Sequence, residues 1–154
     1  PIMRKHADGT IINITSIAGS MGLPFRGAYS ASKGALNIIS EALRMEIAAQ
    51  GIRVLTLAPG DYATDIASRR YHEAVIDHSP YKTTYQESLD TMDTHVDSGN
   101  DPKEVAVKVA ALLRKKNPKP HYVVGSFLQK FSITLKKFLP QKAYEKLLKN
   151  HYKL

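Results

Sequence analysis

The stretch TIINITSIAGSMGLPFRGAYSASK, residues 10–33, decides how this chain is read. Its first six residues form a short apolar run rich in β-branched side chains and bounded by glycine signals, which predicts a buried strand over 10–15. Ser16 then stands at the carboxyl end of that strand, the end at which open α/β sheets bind ligands. Tyr29 follows thirteen residues later and Lys33 four residues after the tyrosine. An i, i+4 pair on a helix lies one above the other, so Tyr29 and Lys33 share a face. A lysine beside a tyrosine favours phenolate over phenol. Such a phenol can give and take a proton. A hydroxyl, a phenol and an ammonium converging at a strand end suit reversible proton transfer to a carbonyl or alcohol oxygen.

Outward from this stretch the pattern alternates between strand and helix. Residues 28–50 predict a long helix, with Leu36, Ile39, Leu43 and Ile47 at helical spacing and Gly51 as the stop. Residues 52–57 predict a second buried strand ended by Pro59-Gly60. A crossover of this length implies a right-handed parallel unit. Residues 61–100 are polar and irregular and read as two short helices forming a lid, with Tyr62, Tyr71, Tyr81, Tyr85 and Met92 available to cover a substrate. Asp101-Pro102-Lys103-Glu104 reads as a helix start, Asp101 capping and Glu104 reaching back. That helix should bury Val105, Val109 and Leu112 or Leu113. Residues 121–125 predict a third strand, and 127–150 one or two amphipathic helices broken at Pro140.

The 154 residues suit one domain with a core of ordinary size. There are no cysteines, which agrees with a reducing compartment. No apolar run approaches the roughly 20 residues of a membrane span, and no secretory signal is visible. The expected location is cytoplasmic. Charge is uneven: residues 1–102 carry −3 and residues 103–154 carry +11, which together make the net +8. A basic tail can be a solvated, core-packed helix with snorkelling lysines or a helix lying on an anionic membrane. No nucleic-acid reading module accompanies the charge. His72, His78 and His95 lack paired ligand spacing, so they read as lid surface and no metal site is expected. Ser30-Ala31-Ser32-Lys33 also fits S-x-x-K, but the S-D-N and K-T-G partners of penicillin-recognising enzymes do not occur.

Ile14-Thr15-Ser16, Tyr29-Ser30-Ala31-Ser32-Lys33 and Ala58-Pro59-Gly60, in this order and on these elements, resemble the short-chain dehydrogenase/reductase family. The resemblance implies a Rossmann-like, doubly wound parallel α/β sheet. It also implies an oxidoreductase that transfers a hydride between a nicotinamide cofactor, NAD or NADP, and an alcohol or carbonyl compound. Tyr29 would exchange the proton with the substrate oxygen, and Ser16 would hydrogen-bond that oxygen. Lys33 would favour the phenolate and hold the nicotinamide ribose. Pro59 and Gly60 would lie against the cofactor, and Thr64 would contact its carboxamide or cap a helix. Asp61 departs from the family, which usually carries an apolar residue there. The family's catalytic asparagine would fall outside this chain, and Asn13, in the strand itself, is no substitute.

The family's glycine-rich phosphate loop has no counterpart here. Residues 1–154 are therefore expected to be the carboxyl-terminal part of one NAD(P)-binding Rossmann-type domain, with a substrate lid at 61–100 and a basic helical tail at 126–154. Alone it would be inactive; complete, it is expected to be a homo-oligomer acting on a small-molecule alcohol or carbonyl substrate, one that is apolar and of medium or large size because a tiny polar substrate would not need four lid tyrosines. The alternative is a non-catalytic module that uses its basic amphipathic tail to contact a membrane surface or a partner. Substrate identity, the choice between NAD and NADP, and the direction of reaction stay open at this level.

Overall fold

The computed structural model describes residues 1–66, 68–71 and 77–154. A short helix α1 (Ile2–His6) leads into strand β1 (Gly9–Ile14), which is followed by α2 (Gly27–Glu46) and β2 (Ile52–Pro59). Then come α3 (Lys82–Asp97), α4 (Lys103–Leu113), β3 (His121–Val124), α5 (Phe127–Phe138) and α6 (Gln141–His151). The strands form one parallel sheet in the order β1-β2-β3. Gly9 to Ile14 pair with Ile52 to Leu57, and Thr56 to Pro59 pair with His121 to Val124. The central strand is therefore flanked on both sides, and Val54, Leu55, Leu57 and Ala58 are buried. That is why β2 reads as a continuous apolar run rather than an alternating one.

Helices cover both faces of the sheet. On one face Leu112 of α4 packs with Leu55 and Leu57, and Ile12, Val105, Val109, Tyr122 and Val124 complete the cluster. Burying a leucine such as Leu112 contributes about 1.5–3 kcal/mol. Leu113, the other candidate, is exposed. On the opposite face α2 is tied down by polar contacts. Asn13 Nδ2 donates to Ser40 Oγ at 2.8 Å, and Arg44 Nε donates to the Val54 carbonyl at 2.8 Å. This is a Rossmann-like α/β arrangement, as expected.

Three expectations change in detail. The helix foreseen over 28–50 ends at Glu46 and tightens into a 3₁₀ turn, Ala48–Gln50, before Gly51 in the left-handed conformation. Its buried stripe runs through Ser40 rather than Ile39, which is exposed, because the Ser40 hydroxyl is satisfied by Asn13 and by the Leu36 carbonyl. In the polar stretch 61–100, residues 82–97 form one long helix, not a short one. Leu89, Met92 and Val96 recur on one of its faces and are buried, with Leu89 and Met92 packed against Tyr152. Their spacing is helical but sparse, which is why the stretch reads as irregular. Residues 67 and 72–76, and with them His72, lie outside the described residues.

Glu104 does not reach back along its own helix. Its carboxylate accepts from the Tyr62 hydroxyl at 3.2 Å and from Asn100 Nδ2 at 3.3 Å. Lys103 N donates to Asp101 Oδ1 at 2.9 Å, so the aspartate does serve the start of α4. Tyr62 and Asn100 also form a parallel bridge, with Asn100 N on the Asp61 carbonyl and Ala63 N on the Asn100 carbonyl. The two ends of the segment 61–100 are thus pinned to each other just past β2. Among the described residues no helix is long and apolar enough to cross a membrane.

Candidate active site

Ser16 lies two residues past the end of β1 and is buried, its hydroxyl accepting from Ala18 N at 3.2 Å to cap the 3₁₀ turn Ile17–Ser20. This turn rests directly on α2. A Cβ on Gly19 would lie 2.8 Å from the Lys33 carbonyl carbon and 3.0 Å from Gly34 N. In return a Cβ on Gly34 would lie 3.2 Å from the Gly19 oxygen. Only glycine at position 19 lets loop backbone meet helix backbone this closely. The meeting point is Lys33.

From there the Lys33 ammonium reaches back across the turn and donates to the Ile14 carbonyl at 3.1 Å, two residues before Ser16. The same Nζ stands 5.9 Å from the centre of the Tyr29 ring. Tyr29 is on the first turn of α2 and is exposed. Lys33 therefore links the carboxyl end of β1 to the face of Tyr29, while Ser16 lies two residues further along the chain from the carbonyl that Lys33 holds. Asn13 faces α2 through Ser40 and does not join them.

Pro59 and Gly60 end the neighbouring strand, and Gly60 N donates to the Val124 carbonyl at 2.8 Å. A Cβ on Gly60 would fall 2.1 Å from Gln129 Oε1, so any larger residue there would have to displace the Gln129 side-chain tip from its hydrogen bonds. Both ends of the Gln129 amide are engaged: Oε1 accepts from Ser126 N at 3.0 Å, and Nε2 donates to Asp61 Oδ2 at 2.8 Å. Asp61, the unusual residue after the Pro-Gly turn, is thus the anchor for α5. Thr64 is exposed and sits in a bend followed by a turn at Asp65-Ile66.

The loop joining Ser16 to Tyr29 is held from the carboxyl-terminal end of the chain. The Tyr144 hydroxyl donates to Met21 Sδ at 2.8 Å. The Arg26 guanidinium donates to the Tyr152 hydroxyl and stacks 5.3 Å from the ring centre. Burial pushes the Tyr152 phenol up from its ordinary value, with Arg26 pulling the other way. Next to it, His151 stacks on His95 of α3 at 5.0 Å. Burial, then the neighbouring His95, pushes His151 down, while Asp61 opposes and Arg26 adds to the depression. None of these tertiary contacts was legible in the sequence except the Ser126-x-x-Gln129 capping box, an available signature for the start of α5.

Comparison with known proteins shows the family and the fold. A family model described as short chain dehydrogenase matches residues 1–74. A 3-ketodihydrosphingosine reductase of Bacteroides thetaiotaomicron is 33% identical over 99% of this chain and 57% of its own length. The chain belongs to the short-chain dehydrogenase/reductase family. An NADPH-dependent 3-dehydrocapnine reductase of Ornithobacterium rhinotracheale is 37% identical over 76% of the chain and 42% of its own length. A short-chain dehydrogenase of Streptomyces avermitilis superposes with a TM-score of 0.66 at 27% identity, over 96% of this chain and 53% of that one. This short-chain dehydrogenase/reductase chain spans about half the length of the curated relatives it matches.

Proposed function

We propose that this chain supplies the proton-transfer machinery of a nicotinamide-dependent oxidoreductase that interconverts a carbonyl compound and its alcohol. The observation that carries the reading is the bridge made by Lys33, whose ammonium touches both the end of β1 and the face of Tyr29. Tyr29 is the proton donor in the reducing direction, its exposed phenol positioned to meet a substrate oxygen. Ser16 is the second hydroxyl on that oxygen. Lys33 sets its ammonium over the Tyr29 ring and against the Ile14 carbonyl. It has one carbonyl partner among the described residues, so donor capacity remains for a diol.

The donor set fits the ribose end of a nicotinamide dinucleotide: an ammonium and a phenol for hydroxyls, with Pro59, Gly60 and Thr64 at the end of the next strand for the nicotinamide side. Either NAD or NADP suits these residues; the name of the Ornithobacterium relative favours NADPH. When bound, that cofactor supplies the hydride. The chain's own work is to orient the carbonyl, move the proton and exclude water. For the last task we assign residues 61–100, whose two ends meet beside Gly60. Both named relatives reduce an oxo group at position three of their substrates. A 3-oxo group on an aliphatic chain is accordingly the substrate class proposed here.

The test is Tyr29→Phe in the full-length protein, assayed with NADPH and a 3-oxo substrate. Turnover should fall by roughly 10²–10⁴-fold, the range for a lost general acid, while cofactor affinity stays near wild type. Retention of most of the turnover would remove Tyr29 from the proton path.

A further inference from the structure

Helix α5 leaves an apolar stripe in solvent, interrupted only by Thr134 between Phe131 and Phe138. Phe127, Leu128 and Phe138 are 77%, 75% and 80% exposed, and Phe131 is 46% exposed. Phe127, Phe131 and Phe138 lie at i, i+4 and i+11, one face of a 3.6-residue helix. Phe127 and Phe131 stack at 6.0 Å with nearly parallel rings, so the stripe has no polar break between them. At 12 residues and 1.5 Å rise, it runs for about 18 Å. No residue of α5 is fully buried.

The neighbouring face of the same helix is basic. A groove between α5 and β3 is lined by Lys130, Lys136, Lys137 and His121, with Ser20 and Thr134 supplying hydroxyls. Among the described residues no carboxylate pairs with these lysines. The field they make is felt by His121, whose protonated form is disfavoured by burial and then by Lys137 and Arg44. Residues 121–154 hold seven lysines and a single acidic residue, Glu145. A bare apolar stripe would fit many partners. A stripe flanked by an uncompensated lysine groove fits a surface that is apolar within and anionic at its rim.

We propose that α5 docks this protein on an anionic phospholipid membrane. Phe127, Leu128, Phe131 and Phe138 would enter the headgroup–acyl boundary, and Lys130 and Lys137 would meet lipid phosphates and carboxylates. The helix lies in the plane of the interface, as an amphipathic helix with a basic polar edge does. Each lysine near a charged leaflet strengthens binding by about fivefold. The same helix begins at Ser126, bonded through Gln129 to Asp61 beside the Pro59-Gly60 turn. Docking therefore sets the carboxyl-terminal edge of the sheet close to the bilayer.

The experiment is co-sedimentation of the purified chain with vesicles of phosphatidylcholine alone or of equimolar phosphatidylserine and phosphatidylcholine. Binding to the mixed vesicles, lost at high salt and absent with phosphatidylcholine, is the expected result. Phe127→Ser/Phe131→Ser/Phe138→Ser and, separately, Lys130→Glu/Lys137→Glu should each weaken it by roughly tenfold or more. All five positions are exposed, so circular dichroism should show both variants folded. No sedimentation with the mixed vesicles overturns the proposal. So does binding that the triple phenylalanine variant leaves unchanged, which would be lysine attraction alone. Conversion of a dimer to a monomer by the triple variant, without loss of vesicle binding, would make the stripe an interface between copies and also overturn it.

Discussion

Gly19→Ala tests the packing that brings Ser16 to Lys33. The new methyl would stand 2.8 Å from the Lys33 carbonyl carbon and 3.0 Å from both Gly34 N and the Lys33 oxygen. These are backbone atoms of a helix, which cannot rotate out of the way as a side-chain tip would. Over-packing of this kind costs about 1–3 kcal/mol. The alanine lowers the entropy of the unfolded chain and offsets about 0.4–1 kcal/mol of that. The net loss is roughly 1–2 kcal/mol, a fall in Tm of about 2–8 °C at this chain length. Two controls bracket it. Gly22→Ala meets nothing within 4 Å, so its effect should stay within about 0.5 kcal/mol. Gly34→Ala meets the Gly19 oxygen at 3.2 Å, but it lies inside α2, where alanine is favoured by about 1 kcal/mol, so the two effects should nearly cancel. Urea unfolding of the three variants measures all of this. If Gly19→Ala proves as stable as Gly22→Ala, the loop does not rest on α2 as described, and the positioning of Ser16 needs another explanation.

The remaining predictions concern pH and the carboxyl-terminal clamp. His121 and His151 both have folded-state values below the ordinary 6.5, so the unfolded chain binds more protons as pH drops. Full stability should hold above about pH 6.5 and decline as pH falls from there through the folded-state values. Thermal melts from pH 8 to about 5 read this, and His151→Phe should flatten the slope; a Tm that rises on acidification would contradict the sign. Tyr152→Ala removes the ring that joins Arg26, Leu89 and Met92, at a cost of about 3–5 kcal/mol. Amide exchange should quicken in α3 and in residues 21–26 more than in β2, and uniform quickening would mean the clamp is not local.

Much of the sheet was readable from the chain itself, because β-branched apolar runs bounded by glycine and proline can do little else but form buried parallel strands. The same holds for Tyr29 and Lys33, since helical period alone places residues four apart on one face. What no period could supply was every contact between residues far apart in sequence. Asp61 reads as an oddity until Gln129, sixty-eight positions later, is seen donating to it. Gly19 reads as one more loop glycine until α2 is laid against it. Ile39 fits the apolar pattern, yet Ser40 is the buried residue, because a partner on β1 satisfies its hydroxyl. Local sequence determines which elements form and which face each could bury. Which face is buried depends on whether a distant group fills the space or completes the hydrogen bonds, and that is decided only when the chain is packed.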